Sequence, residues 1–284
     1  MSHSYNILIT GSSGFIGSSF INNYHTIHDI DTFSLLNDSI HDIIFNNTDV
    51  VLHCAALVHQ KKEHSSHKYE EINTKYPFDL AKEAKKNGVK QFVFISTIAV
   101  FGDKIEKIDE KSKFRPVTPY GKSKLDAEKQ LLKLKDKNFM VSIIRPPMVY
   151  GKEAPGNIAF LKKLVRWVPI IPLGEINNKR SFVYIENLCH LLNQVIIQEK
   201  SGIFFASDDK AISTSNLIKL IANSMGKKTY IFKSFLFESL LKVFIPSFHR
   251  RLFMSLEVDS RITKESLGLI NPVSIEDGIR RMVI

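Results

Sequence analysis

The segment Tyr5-Asn-Ile-Leu-Ile-Thr-Gly-Ser-Ser-Gly-Phe-Ile-Gly17 constrains the fold of this chain more than any other. An apolar run passes directly into Gly11, Gly14 and Gly17 at the spacing GxxGxxG. A buried strand feeding a helix through such a turn needs one glycine for the sharp bend. A second allows backbone N–H groups to approach a pyrophosphate, and the third lets the helix pack on the strand with its positive end toward the phosphates. Ser13, Phe15 and Ile16 fill the rest of the turn and complete the expected cradle. Three glycines alone are a weak signal. The apolar strand before them supplies the context that the pattern requires.

A second constellation adds chemistry. Phe92-Val-Phe-Ile-Ser-Thr97 is an apolar strand ending in two hydroxyls, and Tyr120-Gly-Lys-Ser-Lys124 opens a segment that reads as helical through Leu134. Residues four apart share one helix face, so the Lys124 ammonium is expected beside the Tyr120 phenol, favouring its ionised form and lowering a pKa that starts near 10. A phenol so tuned exchanges a proton at a carbinol or carbonyl carbon while a nicotinamide handles the hydride, with Thr97 bonded to the same oxygen. YxxxK is common by chance, usually as a solvated helix face. After a glycine fingerprint and a Ser-Thr strand end, in that order, it is specific.

With these motifs in place the chain resembles the extended short-chain dehydrogenase/reductase family, in its nucleotide-sugar (NAD-dependent epimerase/dehydratase) branch, over nearly its whole length. Val50-Val-Leu-His-Cys-Ala-Ala56 is similar to the family segment whose alanines, here Ala55 and Ala56, line the cofactor. Asn73 matches the asparagine on the following helix, and Arg145-Pro-Pro-Met-Val-Tyr-Gly151 matches an RPxxVYG element that brings Pro147 to the nicotinamide. The resemblance implies that Tyr120 and Lys124 also hold the cofactor, which is NAD(H) or NADP(H). It implies that Asn157 and Arg180 hold a sugar-nucleotide diphosphate, with Leu173 and Arg251 as further substrate contacts. Arginine suits phosphate because its planar fork binds two oxygens at once. Pro172-Leu-Gly-Glu-Ile-Asn-Asn-Lys-Arg-Ser181 looks closest to 4-reductases of UDP-linked N-acetylated 4-keto-6-deoxy sugars, enzymes of surface-polysaccharide biosynthesis. A UDP-hexose 4-epimerase is the alternative, and a non-catalytic dinucleotide-binding regulator stands behind both. An acid at the end of the second strand would bind the adenosine ribose. Asp31 or Asp29 fits that role, no arginine stands ready for a 2′-phosphate, and the cofactor preference stays open. Phe101 replaces a tyrosine common in the family, and Thr97 a frequent serine.

Strand and helix alternate: strands at 5–10, 49–53, 91–96 and 139–144, helices at 14–24, 66–87 and 119–136. This pattern implies an α/β fold with a doubly wound parallel Rossmann-type sheet in residues 1–150. Residues 151–284 break into Pro-punctuated pieces and read as a small substrate lobe, returning to the main sheet near 181–185 and within about 181–206. Two cysteines give no disulfide framework and the chain enters its first strand almost at once, so a reducing, cytoplasmic location without a signal peptide is expected. The net charge of +10 is spread over helix faces, without the aromatic-interleaved basic pattern of a nucleic-acid binder. His53, Cys54, His59, His64 and His67 match no familiar ligand spacing, and no metal is expected. Residues 230–253 are aromatic, amphipathic and basic. A helix packed over the substrate lobe, or against a partner in a homodimer, is the expectation there, ahead of contact with a membrane surface.

Overall fold

Strands such as Val50-Val-Leu-His53 and Gln91-Phe-Val-Phe-Ile95 are buried along their whole length, as parallel strands covered on both faces must be. The computed structural model describes residues 4–34, 40–58 and 65–284. The first half builds β1 (Asn6–Thr10), α1 (Phe15–Tyr24), β2 (Asp29–Phe33), β3 (Val50–His53), α2 (Ser66–Glu70), α3 (Tyr76–Lys86), β4 (Gln91–Ile95), β5 (Lys107–Ile108), α4 (Pro119–Leu132), β6 (Met140–Arg145) and β7 (Met148–Tyr150). The second half adds α5 (Asn157–Trp167), β8 (Ile170–Ile171), β9 (Phe182–Tyr184), α6 (Ile185–Ile197), β10 (Gly202–Phe205), α7 (Thr214–Ser224) and β11 (Tyr230–Ile231). It closes with α8 (Phe235–Phe244), α9 (Pro246–Phe253), β12 (Glu257–Val258), α10 (Arg261–Leu267) and α11 (Ile275–Val283).

The central sheet has six parallel strands in the order β10-β6-β4-β3-β1-β2, as the alternation predicts. Alternate residues feed two cores. Leu8, Val51, Phe92 and Phe94 pack with Leu80, Ala81 and Ala84 of α3 and with Ala127 and Leu131 of α4. Ile7, Ile9, Leu52 and Val93 face the opposite way, toward Phe20 of α1 and Leu188, Leu192 and Ile196 of α6. Chain order reverses at β1, flanked by β2 and β3, and ligands bind a doubly wound sheet outside the strand ends at such a point.

Two expectations need correction. The return to the main sheet is at Gly202–Phe205, whereas Phe182–Tyr184 pairs with β7 in a separate two-stranded sheet. The long helix over 66–87 is interrupted by a π-turn at Glu71–Lys75. Pro77 has no N–H for the carbonyl four residues back, and a widened turn accommodates that loss.

Candidate active site

At the mouth of β1 the glycines divide their labour. Gly11 has φ +73°, and a Cβ there would lie 2.5 Å from the Ala55 backbone nitrogen. A Cβ on Gly17 would lie 2.4 Å from the Gly11 carbonyl oxygen. These two are demanded by the turn itself, which packs Gly11 against the backbone of Ala55. Gly14 has φ −77° and would bring a Cβ no closer than 3.2 Å to protein, so its bareness serves what lies outside the turn. Ser13 is exposed there. Helix α1 begins with no side-chain cap, which leaves the first-turn amides of Phe15 and Ile16 for an anion. The residues present thus fit a dinucleotide pyrophosphate. Gly14→Val is expected to abolish NADH and NADPH binding in a fluorescence titration while leaving the melting temperature near that of the parent. Tight binding of either cofactor by the variant would make the glycine loop purely structural.

Thr97 and Tyr120 meet beside this mouth. Thr97 follows β4 with extended backbone (φ −164°), and its Oγ accepts the Ala99 N–H at 3.1 Å, capping a short 3-10 turn. The same hydroxyl is hydrogen-bonded to the Tyr120 phenol. Tyr120 opens α4, whose N-cap Thr118 accepts the Gly121 N–H at 3.1 Å. A Cβ on Gly121 would lie 2.7 Å from the Ala99 carbonyl oxygen, so the glycine inside YGKSK seats α4 against the Thr97 turn.

Lys124 corrects the expected electrostatics. Its Nζ donates to the Ile95 carbonyl at 2.7 Å and lies 4.2 Å from the Phe94 ring centroid. Burial pushes its ammonium down to about 7, while burial pushes the Tyr120 phenol up to about 12, with Thr97 opposing that rise. The lysine therefore anchors the end of β4, and burial favours the neutral form of Tyr120.

Behind these groups lies a buried set that the motifs did not reveal. Glu128 accepts both Arg145 Nε at 3.0 Å and a guanidinium NH2 at 2.6 Å, and it also accepts the Ser96 hydroxyl. Arg145 sits 5.1 Å from the Phe101 ring and 4.9 Å from that of Phe114. Ser96 N–H donates to Ile144 O at 2.7 Å, and Ile98 N–H to Pro146 O at 3.1 Å. The network ties the ends of β4 and β6 together and fixes the turn carrying Thr97. Its signal was the four-residue spacing Tyr120, Lys124, Glu128 on one helix face.

Several expected contacts lie elsewhere. Asn73 is fully buried, and its amide donates to Leu57 O and Ser123 Oγ while accepting the Leu57 N–H at 2.7 Å. It holds the segment after β3 in place through Leu57. Asp31 is exposed in mid-strand opposite Leu8. The strand end beside Thr10 is occupied by Phe33, so among the described residues no carboxylate stands at the end of β2, where the ribose was expected. Leu173 belongs to the core, and Pro147 is buried at the end of β6. Both cysteines are free thiols. His53 is buried with Nδ1 2.8 Å from Thr10 Oγ and its ring stacked on those of Phe92 and Phe94. His67 is exposed on α2, and His59 and His64 lie outside the described residues. Burial, with Lys124 adding, pushes His53 down to about 3. Because the unfolded chain takes this proton first, its contribution to stability is present above about pH 6.5 and is lost as pH falls toward 3. A His53→Gln variant should show a flatter acid limb in equilibrium unfolding.

On the lobe side, Asn157, Arg180 and Arg251 come together in one pocket with Met148, Phe160 and Phe248. Asn157 opens α5, Arg180 precedes β9 and Arg251 lies in the last turn of α9. Arg180 donates to Met254 O at 2.9 Å. Burial first, and the like charge of Arg251 second, push its guanidinium down to about 10. Two neighbouring guanidiniums of one sign make a receptor for a multiply charged anion. Arg250 ties α9 to the catalytic side through Asp103 at 2.7 Å.

The profile described as "NAD dependent epimerase/dehydratase family" matches residues 7–204. The chain belongs to this family. UDP-glucose 4-epimerase of Vibrio cholerae is 33% identical over 97% of this chain and 93% of its own length. Among solved structures, UDP-N-acetylglucosamine 4-epimerase from Bacillus cereus superposes with a TM-score of 0.80 at 19% identity, covering 99% of this chain and 98% of that one. dTDP-4-dehydrorhamnose reductase from Bacillus anthracis in complex with NADP gives 0.78 at 23% identity, covering 98% of both chains. As a member of the family, the chain is an NAD(P)-dependent enzyme. Among the described residues no helix is long and apolar enough to cross a membrane.

Proposed function

We propose that the chain reduces the C4 carbonyl of a UDP-linked 4-keto-6-deoxy-N-acetylhexosamine destined for a surface polysaccharide. When bound, the nicotinamide dinucleotide supplies the hydride. The chain supplies the proton and the grip on the oxygen. Tyr120 donates its phenolic proton to the C4 oxygen, and the Thr97 hydroxyl bonds the same atom. Asn157, Arg180 and Arg251 hold the diphosphate, which fixes the sugar ring against Tyr120.

What supports an acid at this position is the Tyr120 phenol, buried and hydrogen-bonded to Thr97, an environment that favours its neutral, proton-donating form. Burial raises its pKa to about 12, and Lys124 is turned to Ile95. Reduction needs an acid at this position, whereas the first half of an epimerisation needs a base. The end of β2 supports the same choice, because Phe33 cannot grip a ribose as a carboxylate would, and a reductase must release its dinucleotide at every turnover. The activity of the Vibrio cholerae relative favours the second reading, 4-epimerisation, which would use the same residues twice.

The fate of the cofactor separates the two. Purified protein is expected to release little dinucleotide on denaturation and to oxidise added NADH or NADPH with a UDP-4-keto-6-deoxy-N-acetylhexosamine. Stoichiometric bound NAD, with C4 inversion of a UDP-hexose and no consumption of added cofactor, would overturn the reductase in favour of the epimerase. Arg180→Ala should weaken UDP binding by about 1.5–3 kcal/mol, the loss of a charge-assisted bond, with cofactor affinity nearly unchanged. Unaltered UDP affinity in calorimetry would remove the arginine pocket from the substrate site.

A further inference from the structure

Helix α8 uses one side for the fold and leaves the other to solvent. Leu241 is buried and Phe237 packs against the core. The adjoining side presents Leu236, Leu240, Val243 and Phe244, at helical spacing, with Leu236 73% and Phe244 75% exposed. More exposed apolar side chains lie on the neighbouring elements. Phe235 precedes Leu236 and is exposed, Phe232 stacks on Tyr230, Tyr230 pairs with Ile170 across β11 and β8, and Trp167 at the end of α5 is 77% exposed. Scattered apolar side chains on a surface are ordinary, but a helix face of four exposed apolar residues with an aromatic cluster beside it marks a contact.

The charges around the patch have one sign. Between Lys227 and Ile245 there are four lysines and one glutamate, and Arg166 adjoins Trp167. The acids are already engaged: Glu238 lies 3.5 Å from His249, and Glu175 lies 3.5 Å from Lys233. Lys227, Lys228, Lys242 and Arg166 are exposed and form no ion pair among the described residues. A second copy of the same patch would set these cations against each other. An anionic lipid surface would complement them and take up the aromatic and aliphatic side chains, with Trp167 and Tyr230 at the depth where amphipathic rings settle.

We infer that the outward face of α8, with Trp167 and Tyr230, seats this protein on an anionic membrane surface. The side chains thus reverse the weighing that the sequence alone suggested for residues 230–253. Helix α9 follows directly and carries Phe248 and Arg251 into the pocket, so the docked face adjoins the site without including it.

Flotation of the full chain with vesicles tests this. Co-flotation is expected with phosphatidylcholine vesicles containing phosphatidylglycerol, little with phosphatidylcholine alone, and less at high salt. Lys227→Gln with Lys228→Gln should weaken partitioning about thirtyfold, since each surface cation is worth about 1 kcal/mol at such a membrane. Leu236→Asp with Phe244→Asp should abolish it, while cofactor titration checks that the variant is folded. Failure of the parent protein to float with the anionic vesicles would overturn the inference. So would undiminished flotation of the folded Asp variant, or a parent dimer that the variant splits without any vesicle binding by the parent.

Discussion

Tyr120→Phe is expected to lower turnover by at least about a hundredfold, the ordinary cost of losing a positioned general acid, with cofactor affinity near that of the parent. The ring itself keeps its place at the start of α4, because Thr118 and Gly121 and not the phenolic oxygen set that helix end. The loss should therefore appear in kcat under saturating cofactor, with the melting temperature little moved. Thr97→Ala should show a smaller loss of the same kind, since it removes a hydrogen bond to the oxygen and leaves the proton donor. Activity retained by Tyr120→Phe on any accepted substrate would end the assignment.

Glu128→Ala should give the largest effect on stability. Arg145 and Glu128 are both almost wholly buried, with side chains 4% and 2% exposed. Breaking a buried pair from one side strands the other charge and costs about 3–5 kcal/mol. Equilibrium unfolding in urea reads this directly, and a loss under about 1 kcal/mol would mean the site relaxes to let Arg145 reach water. The deletion also frees Ser96, next to Thr97, so kcat should fall in whatever fraction stays folded if Thr97 acts as proposed. Glu128→Gln keeps an acceptor oxygen and most of the packing, and should recover part of both losses. This conservative rescue separates positioning of Thr97 from simple unfolding.

The sequence by itself determined the sheet, the glycine turn and the placing of Thr97, Tyr120 and Lys124 near one another, because each rests on local pattern. Apolar runs without polar alternation mark buried parallel strands. Gly11 and Gly17 are forced by atoms a few residues away in the same turn or on the adjacent strand, and Tyr120 and Lys124 share a face by helical period alone. Asn157, Arg180 and Arg251 were also named from sequence, though 94 residues separate the first from the last, and only folding brought them into one pocket. Tertiary structure decided what each polar group faces. Lys124 donates to the Ile95 carbonyl, Asn73 braces Leu57, and Asp31 falls two residues short of the strand end where Phe33 stands. The motif spacing specifies position along the backbone but not the partner that burial selects. Burial then sets the charge state, since a lysine or phenol away from water favours its neutral form whatever its sequence neighbours. The same holds for α8: its amphipathic period was legible, yet which apolar residues would be covered depended on how α9 and the lobe pack against it.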